Sequence, residues 1–293
     1  MNTLTRCGLV VAGMAVLYVV AGQFMGSIND DLDFTAEPPQ GGSYAVAMAA
    51  SLMERELDSG WHPSDVVNPA RMRVDVPAFQ LGIKRVLERF TMGAVDHLAR
   101  SGGASSMDQD LLAARSHIQF TPRSFSMFPS NSSVSNYRLA VDDLRKYNDR
   151  LAQGQATFDQ RIDNLAHVLS GTVSDLGDQT SELDQKAQNG ALISFDVRRS
   201  YYYTEGMLYG GCMILKALGK DFKSVLAAQS ATNMYDQAVA TTCGAATGAP
   251  LLVINGGRHG LLPSHPYTLA GEVALVRARW QSVLDAELGS QKP

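Results

Sequence analysis

Residues 137–183, YRLAVDDLRKYNDRLAQGQATFDQRIDNLAHVLSGTVSDLGDQTSEL, decide the fold class. Val141, Asn148, Gln155, Ile162, Leu169, Leu176 and Leu183 recur every seven residues, and Tyr137, Leu144, Leu151, Phe158, Leu165 and Thr172 form a second series offset by three. Together they make one seam on one or two long helices. Asn148 and Gln155 are polar within it. Gly154, Gly171 and Gly177 each weaken a helix interior by about 1 kcal/mol relative to Ala, so a break or kink is expected rather than an unbroken rod. Two readings follow. The seam is the core face of ordinary bundle helices, or it is an exposed coiled-coil-like arm over 135–189. In the second case Leu144, Leu151, Phe158, Ile162, Leu165, Leu169, Leu176 and Leu183 would recruit a partner or form a homo-oligomer.

Outward from the seam, the start of the chain sets the address. Gly8 to Gly26 contains no charged residue, and a helix of that length spans roughly 28 Å, close to a bilayer core. Arg6 precedes the run, and Asp30, Asp31 and Asp33 follow it. The positive flank is expected to stay cytoplasmic, which places residues 1–7 inside, 8–26 across a bilayer, and the remainder on the exported side. A cleaved signal peptide, cut near Ala21 and Gly22, is the competing reading. Cys7 precedes the apolar run and is not a lipid-attachment cysteine. Residues 27–42 hold four acids, Pro38–Pro39 and Gly41–Gly42, and read as an extended linker off the membrane.

The 293 residues carry 25 basic and 29 acidic side chains; without residues 1–26, which hold Arg6 and no acid, the net charge is −5. That mild acidity argues against nucleic acid and against a polybasic lipid-binding surface. Cys212 and Cys243 fall in the exported part, where disulfides persist. A bridge would close a loop of about 32 residues and contribute about 3–4 kcal/mol. Two buried thiols are the alternative.

Between these landmarks the pattern is helical. Ser43 caps a helix ending at Gly60, and Pro77, with Asp75 as cap, opens one that runs to Gly102–Gly103. Ser105 or Ser106 starts a short helix bearing Leu111 and Leu112. The crossing from Gln119 to Ser133 docks Phe125, Met127 and Phe128. Asn189–Gly190 closes the seam. Phe195–Leu218 is a helix whose Tyr201, Tyr202 and Tyr203 read as rim residues, with rings packed and hydroxyls wet. Gly219 ends it, Asp221 caps a helix from Phe222 to Gln229, and Asn233–Thr242 and Tyr267–Leu288 complete the set before a frayed tail over 289–293. The domain proper is therefore 43–288.

No catalytic signature commits the chain to a reaction. A nucleophile elbow, H-E-x-x-H, a P-loop and a G-x-G-x-x-G after a strand are all missing. No metal or cofactor is expected. The segment 244–266 carries LLVI, a candidate short strand, followed by an Asn-Gly turn. Asn255, Arg258, His259, Ser264 and His265 form a candidate interaction loop that either binds an anionic group or pins itself to the bundle.

Five blocks, GGSYAVAMAASLMERE, PAFQLGIKRVLERF, YRLAVDDLRKYNDRLAQGQATFDQRIDNL, GMLYGGCMILKALGKDF and INGGRHGLLPSHPYTLAGEVALVRAR, resemble in order an uncharacterised proteobacterial family with an inner-membrane anchor. The resemblance covers about residues 41–280. It departs at Phe125 and Phe128, where relatives tend to carry tryptophan, and at the Cys212–Cys243 pair, which does not look general to the family. It implies a fold and a location, not a reaction. The expectation is an all-α protein: a single transmembrane helix plus a periplasmic bundle with a long helical arm. It acts as a non-enzymatic scaffold or assembly factor that contacts the lipid bilayer through 8–26 and other membrane or envelope proteins through its surface. A periplasmic enzyme working on cell-wall or lipid substrates through the 255–265 loop is the alternative.

Overall fold

The structure, a computed structural model, describes residues 13–14, 28–64, 74–99, 107–125, 132–248, 250, 252–257 and 262–289. The proposed anchor, apart from two residues, lies outside them, as do Met127, Phe128, Arg258 and His259. The helices are α1 (Tyr44–Asp58), α2 (Asp75–Gly93), α3 (Gln109–Ile118), α4 (Ser133–Ala152), α5 (Ile162–Asn189), α6 (Phe195–Asp221), α7 (Lys223–Ala228), α8 (Thr232–Ala245) and α9 (His265–Gly289). A π-helical turn, Ala94–Leu98, extends α2. Among the described residues no strand forms, and no helix is long and apolar enough to cross a membrane. The LLVI segment contributes one isolated antiparallel bridge, Asn255 to Ser264, and no strand.

The heptad segment is two helices, not one arm. Gly154, at φ +70°, ends α4, and residues 153–161 cross to the start of α5. The halves then pack on different neighbours: α4 on α1 and α3, α5 on α9, α6 and α2. Leu144, Leu165, Leu169, Leu176 and Leu183 are buried in the core, while Leu151, Phe158 and Ile162 are half-buried against it. These side chains face the bundle itself rather than a partner, because each half finds its apolar complement within the chain. Gly171 and Gly177 lie within α5 without breaking it. A Cβ at Gly171 would stand 2.8 Å from Arg89 Cδ, and one at Gly177 3.1 Å from the Arg277 guanidinium carbon, so both are notches for arginines of neighbouring helices.

At the centre lies α6, packed on α2, α1, α8 and α5. Its small residues allow backbone contact with α2. A Cβ at Gly206 would run into the Phe79 carbonyl oxygen and stand 2.8 Å from its carbonyl carbon, and one at Gly82 would reach the Tyr203 carbonyl and approach the Met207 nitrogen to 2.7 Å. The helix continues through Gly219, whose missing side chain admits the Tyr235 ring, and stops at Asp221.

Asp221 does not cap the next helix; it caps α1. Its carboxylate accepts from the Ser43 hydroxyl (2.7 Å) and from the Tyr44 and Ala45 amides (2.8 and 2.9 Å), while Ser43 itself caps Val46. Three amides that α1 could not satisfy internally are thus met from side chains, one of them 176 or more residues away. Two other starts differ from expectation. α2 begins at Asp75, which is buried and pairs with Arg198 at 3.2 Å, leaving Pro77 third in the helix. α3 is capped by Asp108 rather than a serine.

Candidate interaction surfaces

The acidic segment ahead of α1 is a strap rather than a free linker. Ile28, Leu32 and Phe34 pack on the core, and Ala36 is buried. The Arg55 guanidinium, in the last turn of α1, donates to the Asn29 carbonyl (3.0 Å) and stacks between the rings of Phe34 and Tyr209, 4.9 and 5.0 Å from their centres. The Tyr209 hydroxyl donates to the Asp31 carbonyl (2.8 Å) and the Lys216 ammonium to the Leu32 carbonyl (3.0 Å). Gly41, at φ +91°, turns the strap against Ala152 and into α1.

The described part of the 255–265 loop is closed on the bundle. Asn255 is buried; its Nδ2 donates to the Ala187 and Gly190 carbonyls at 2.8 and 3.0 Å, and its amide donates to the Leu192 carbonyl at 2.9 Å. Ala187 belongs to the last turn of α5 and Gly190 is its C-cap, so Asn255 supplies from a distance the donors that a helix C-terminus lacks. The Ser264 hydroxyl donates to Asn255 Oδ1 (3.3 Å). His265 Nδ1 accepts from the Ile254 amide (2.9 Å), and the His265 amide returns a bond to the Ile254 carbonyl (3.0 Å). An amide can only donate, so Nδ1 carries no proton and the ring's remaining hydrogen is on Nε2. The reading in which the loop pins itself therefore holds for Asn255, Ser264 and His265.

Beneath the loop are the tyrosines, deeper than a rim. Tyr201 and Tyr202 are buried, Tyr202 donates to the Pro250 carbonyl, and the Tyr201 ring lies edge-on to His265 with centres 6.5 Å apart. Tyr201 also bonds Glu205, one turn along α6. Burial pushes the Glu205 carboxyl up to about 7; the Tyr201 bond lowers it, and the like charges of Glu272 and Asp30 raise it. No pattern in the chain singles this residue out, since Glu205 looks like any helical glutamate. Among the described residues no three His, Cys, Asp or Glu side chains gather as a metal site.

Several hollows lie elsewhere. Along the seam between α1 and α4 lies a groove of two neighbouring hollows that share Arg145 in their lining. One, of about 260 Å³, is lined by Glu37, Val46, Ala50, Leu144, Arg145 and Asn148. The other, of about 100 Å³, is lined by Glu54, Leu57, Arg138, Val141, Asp142 and Arg145. Arg145 pairs with Glu54 across it, and Arg138 with Asp58 at its far end (3.2 Å). Val46, Ala50, Leu57, Val141 and Leu144 are almost fully buried, so what these hollows expose is chiefly polar and charged: Glu37, Ser51, Glu54, Arg138, Asp142, Arg145 and Asp149. Asn148, polar inside the heptad pattern, closes its near end by accepting from the Ser43 amide (2.7 Å) and donating to the Ser43 carbonyl (3.1 Å). A further hollow of about 210 Å³ gathers His62, Arg123 and Arg199 at the start of α2, but Arg199 is already paired with Asp196 at 3.2 Å.

Away from both surfaces, Cys212 of α6 and Cys243 of α8 are joined, with Cα atoms 5.0 Å apart. The Trp280 indole donates to the Thr242 hydroxyl (2.9 Å) next to the bridge, tying α9 to the same pair of helices.

These features define an all-helical bundle with a built-in N-terminal strap. Residues 33–199 match the family described as "Uncharacterized protein conserved in bacteria (DUF2333)". That is more than half of the 293 residues, and the chain belongs to this family. No curated protein and no solved structure matches the chain. The matched residues take in most of the strap, α1 to α5 and the first turn of α6, and so the whole α1–α4 groove. The bridge, Glu205 and the 252–265 loop lie beyond them, as do the α6 and 254–279 blocks quoted for the resemblance.

Proposed function

We propose that the protein is a membrane-tethered helical module on the outer side of the bacterial inner membrane, a scaffold or assembly factor that works by contact with other envelope proteins. The observation that carries this reading is the strap. The proposed anchor run, 8–26, ends at Gly26, and from Ile28 onward the chain is packed on the bundle. A tether that enters the fold directly holds the bundle at a fixed place beside the bilayer, which suits a contact protein. The Cys212–Cys243 bridge supports the same side of the membrane, since such bonds persist in oxidising compartments. The contact surface is the α1–α4 groove, whose exposed lining of mixed charge suits a polar, charge-complementary segment of a partner.

The test is a photo-crosslinking amino acid placed at Arg145, and at Lys223 on α7 as control, in the full chain in cells. Membrane fractionation and protease access from the periplasmic side report the tether. A defined envelope protein cross-linked from 145 and not from 223 is the expected result. Recovery in the cytosolic fraction sinks the tether, and identical products from both positions sink the groove.

A further inference from the structure

We propose that the α5–α6 end of the bundle lies on the lipid surface itself, with Leu192, Ile193, Phe195, Leu252 and Leu262 entering the bilayer interface; this rests on the tethered reading. All five are exposed, Ile193 by 64% and Phe195 by 72%. The fold gathers them. The bond from the Asn255 amide to the Leu192 carbonyl brings the 252–257 segment against the α5–α6 turn, and the Asn255–Ser264 bridge brings Leu262 beside it.

Composition favours lipid over protein as the occupant. Protein hot spots are rich in Trp, Tyr and Arg, whereas the large exposed side chains gathered here are Leu, Ile and Phe, the residues of an interfacial face, flanked by the exposed Asp196–Arg199 pair. Geometry favours the bilayer beside the tether. Phe195, Tyr202 and Tyr209 are spaced by seven, so they project within about 40° of one another along α6. Tyr209 holds the strap at Asp31, Tyr202 holds the loop at Pro250, and Phe195 is bare. Strap, loop and apolar edge thus follow one stripe of one helix, with Phe195 about 21 Å along it from Tyr209. From Gly26 to Ile28 the backbone reaches at most about 7 Å. A stripe that starts so close to the membrane meets lipid at a high effective concentration.

The experiment uses the full chain with Cys7→Ser and, in separate variants, Phe195→Cys or Lys223→Cys. Each variant is nitroxide-labelled and reconstituted into phosphatidylethanolamine–phosphatidylglycerol vesicles. Flotation with the vesicles comes first; a chain that does not float overturns the tethered reading and this proposal with it. In floating samples, collision of the label with oxygen and with an aqueous nickel complex is compared. The expected result is a reversal of the accessibility ratio, oxygen favoured at 195 and nickel at 223. Nickel favoured at both positions overturns lipid docking while leaving the tether standing. Spin–spin broadening at 195 means that a second copy covers the edge, and overturns it as well.

Discussion

Replacing Glu205 with Gln should stabilise the bundle at about pH 8 and leave it nearly unchanged at about pH 4. Glu205 is 2% exposed, and its carboxyl is carried by burial from 4.5 to about 7. In the unfolded chain it returns to its ordinary value. Between the two, the folded bundle keeps a proton that the unfolded chain has released, so stability falls as pH rises through that window. The cost is absent below about 4.5 and complete above about 7. At about 1.4 kcal/mol per tenfold in proton affinity it amounts to about 3 kcal/mol. Gln keeps an oxygen for the Tyr201 hydroxyl and cannot ionise. The assay is urea unfolding of the full chain in detergent across this range, wild type against Glu205→Gln. Glu56, Asp221 and Glu272 are also raised by burial and slope the same way. Burial raises Asp175 too, but its bonds from Arg89 and Arg85 more than reverse that, so it slopes oppositely. The difference between the two proteins isolates Glu205. A difference that stays constant with pH would refute the argument.

Leu165→Asp places an uncompensated carboxylate in a fully buried position of α5 and should cost about 4 kcal/mol or more, read as loss of helical circular dichroism in the full chain. Gly206→Ala gains about 1 kcal/mol of helix propensity but drives a methyl into the α2 backbone, for a net loss of about 1–2 kcal/mol by urea midpoint. Cys212→Ser with Cys243→Ser opens a loop of sequence separation 31 and should cost about 3–4 kcal/mol, with the same loss on reducing the native protein. Asp221→Ala removes the distant cap of α1, at about 1–2 kcal/mol, and should speed hydrogen exchange first at the Tyr44 and Ala45 amides.

Helix was legible wherever apolar spacing alone decides it, which covers every described long element. Neighbours were less so. The heptads of α4 and α5 continue the same register across Gly154, and a period carries no record of which helix it packs against. Glycines misled in both directions. Gly154 breaks a helix as propensity suggests, but Gly171, Gly177 and Gly219 sit inside helices because an arginine or a ring needs their space. That need belongs to residues far along the chain. Asp221 was readable as a cap from its type, but not which helix it would cap. At the 255–265 loop, Asn and Gly announced a turn, whereas the carbonyls that Asn255 would satisfy could be found only in three dimensions.

The strap is the hardest case and the one on which function turns. Its acids, Pro38–Pro39 and Gly41–Gly42 are the composition of a solvated leash, and composition reports preference for water, not docking. What fixes it is mostly its own backbone: the carbonyls of Asn29, Asp31 and Leu32 accept from Arg55, Tyr209 and Lys216, and every sequence offers carbonyls. A flexible leash of about 16 residues would let the bundle roam roughly 20 Å from its tether. Docked, the same residues leave a reach of at most about 7 Å between Gly26, the end of the proposed anchor, and the fold. A contact protein on a leash must find its partner by diffusion. Under the proposed tethered reading, a bundle strapped down would hold the same groove close to the bilayer, which would favour partners whose own segments lie beside it.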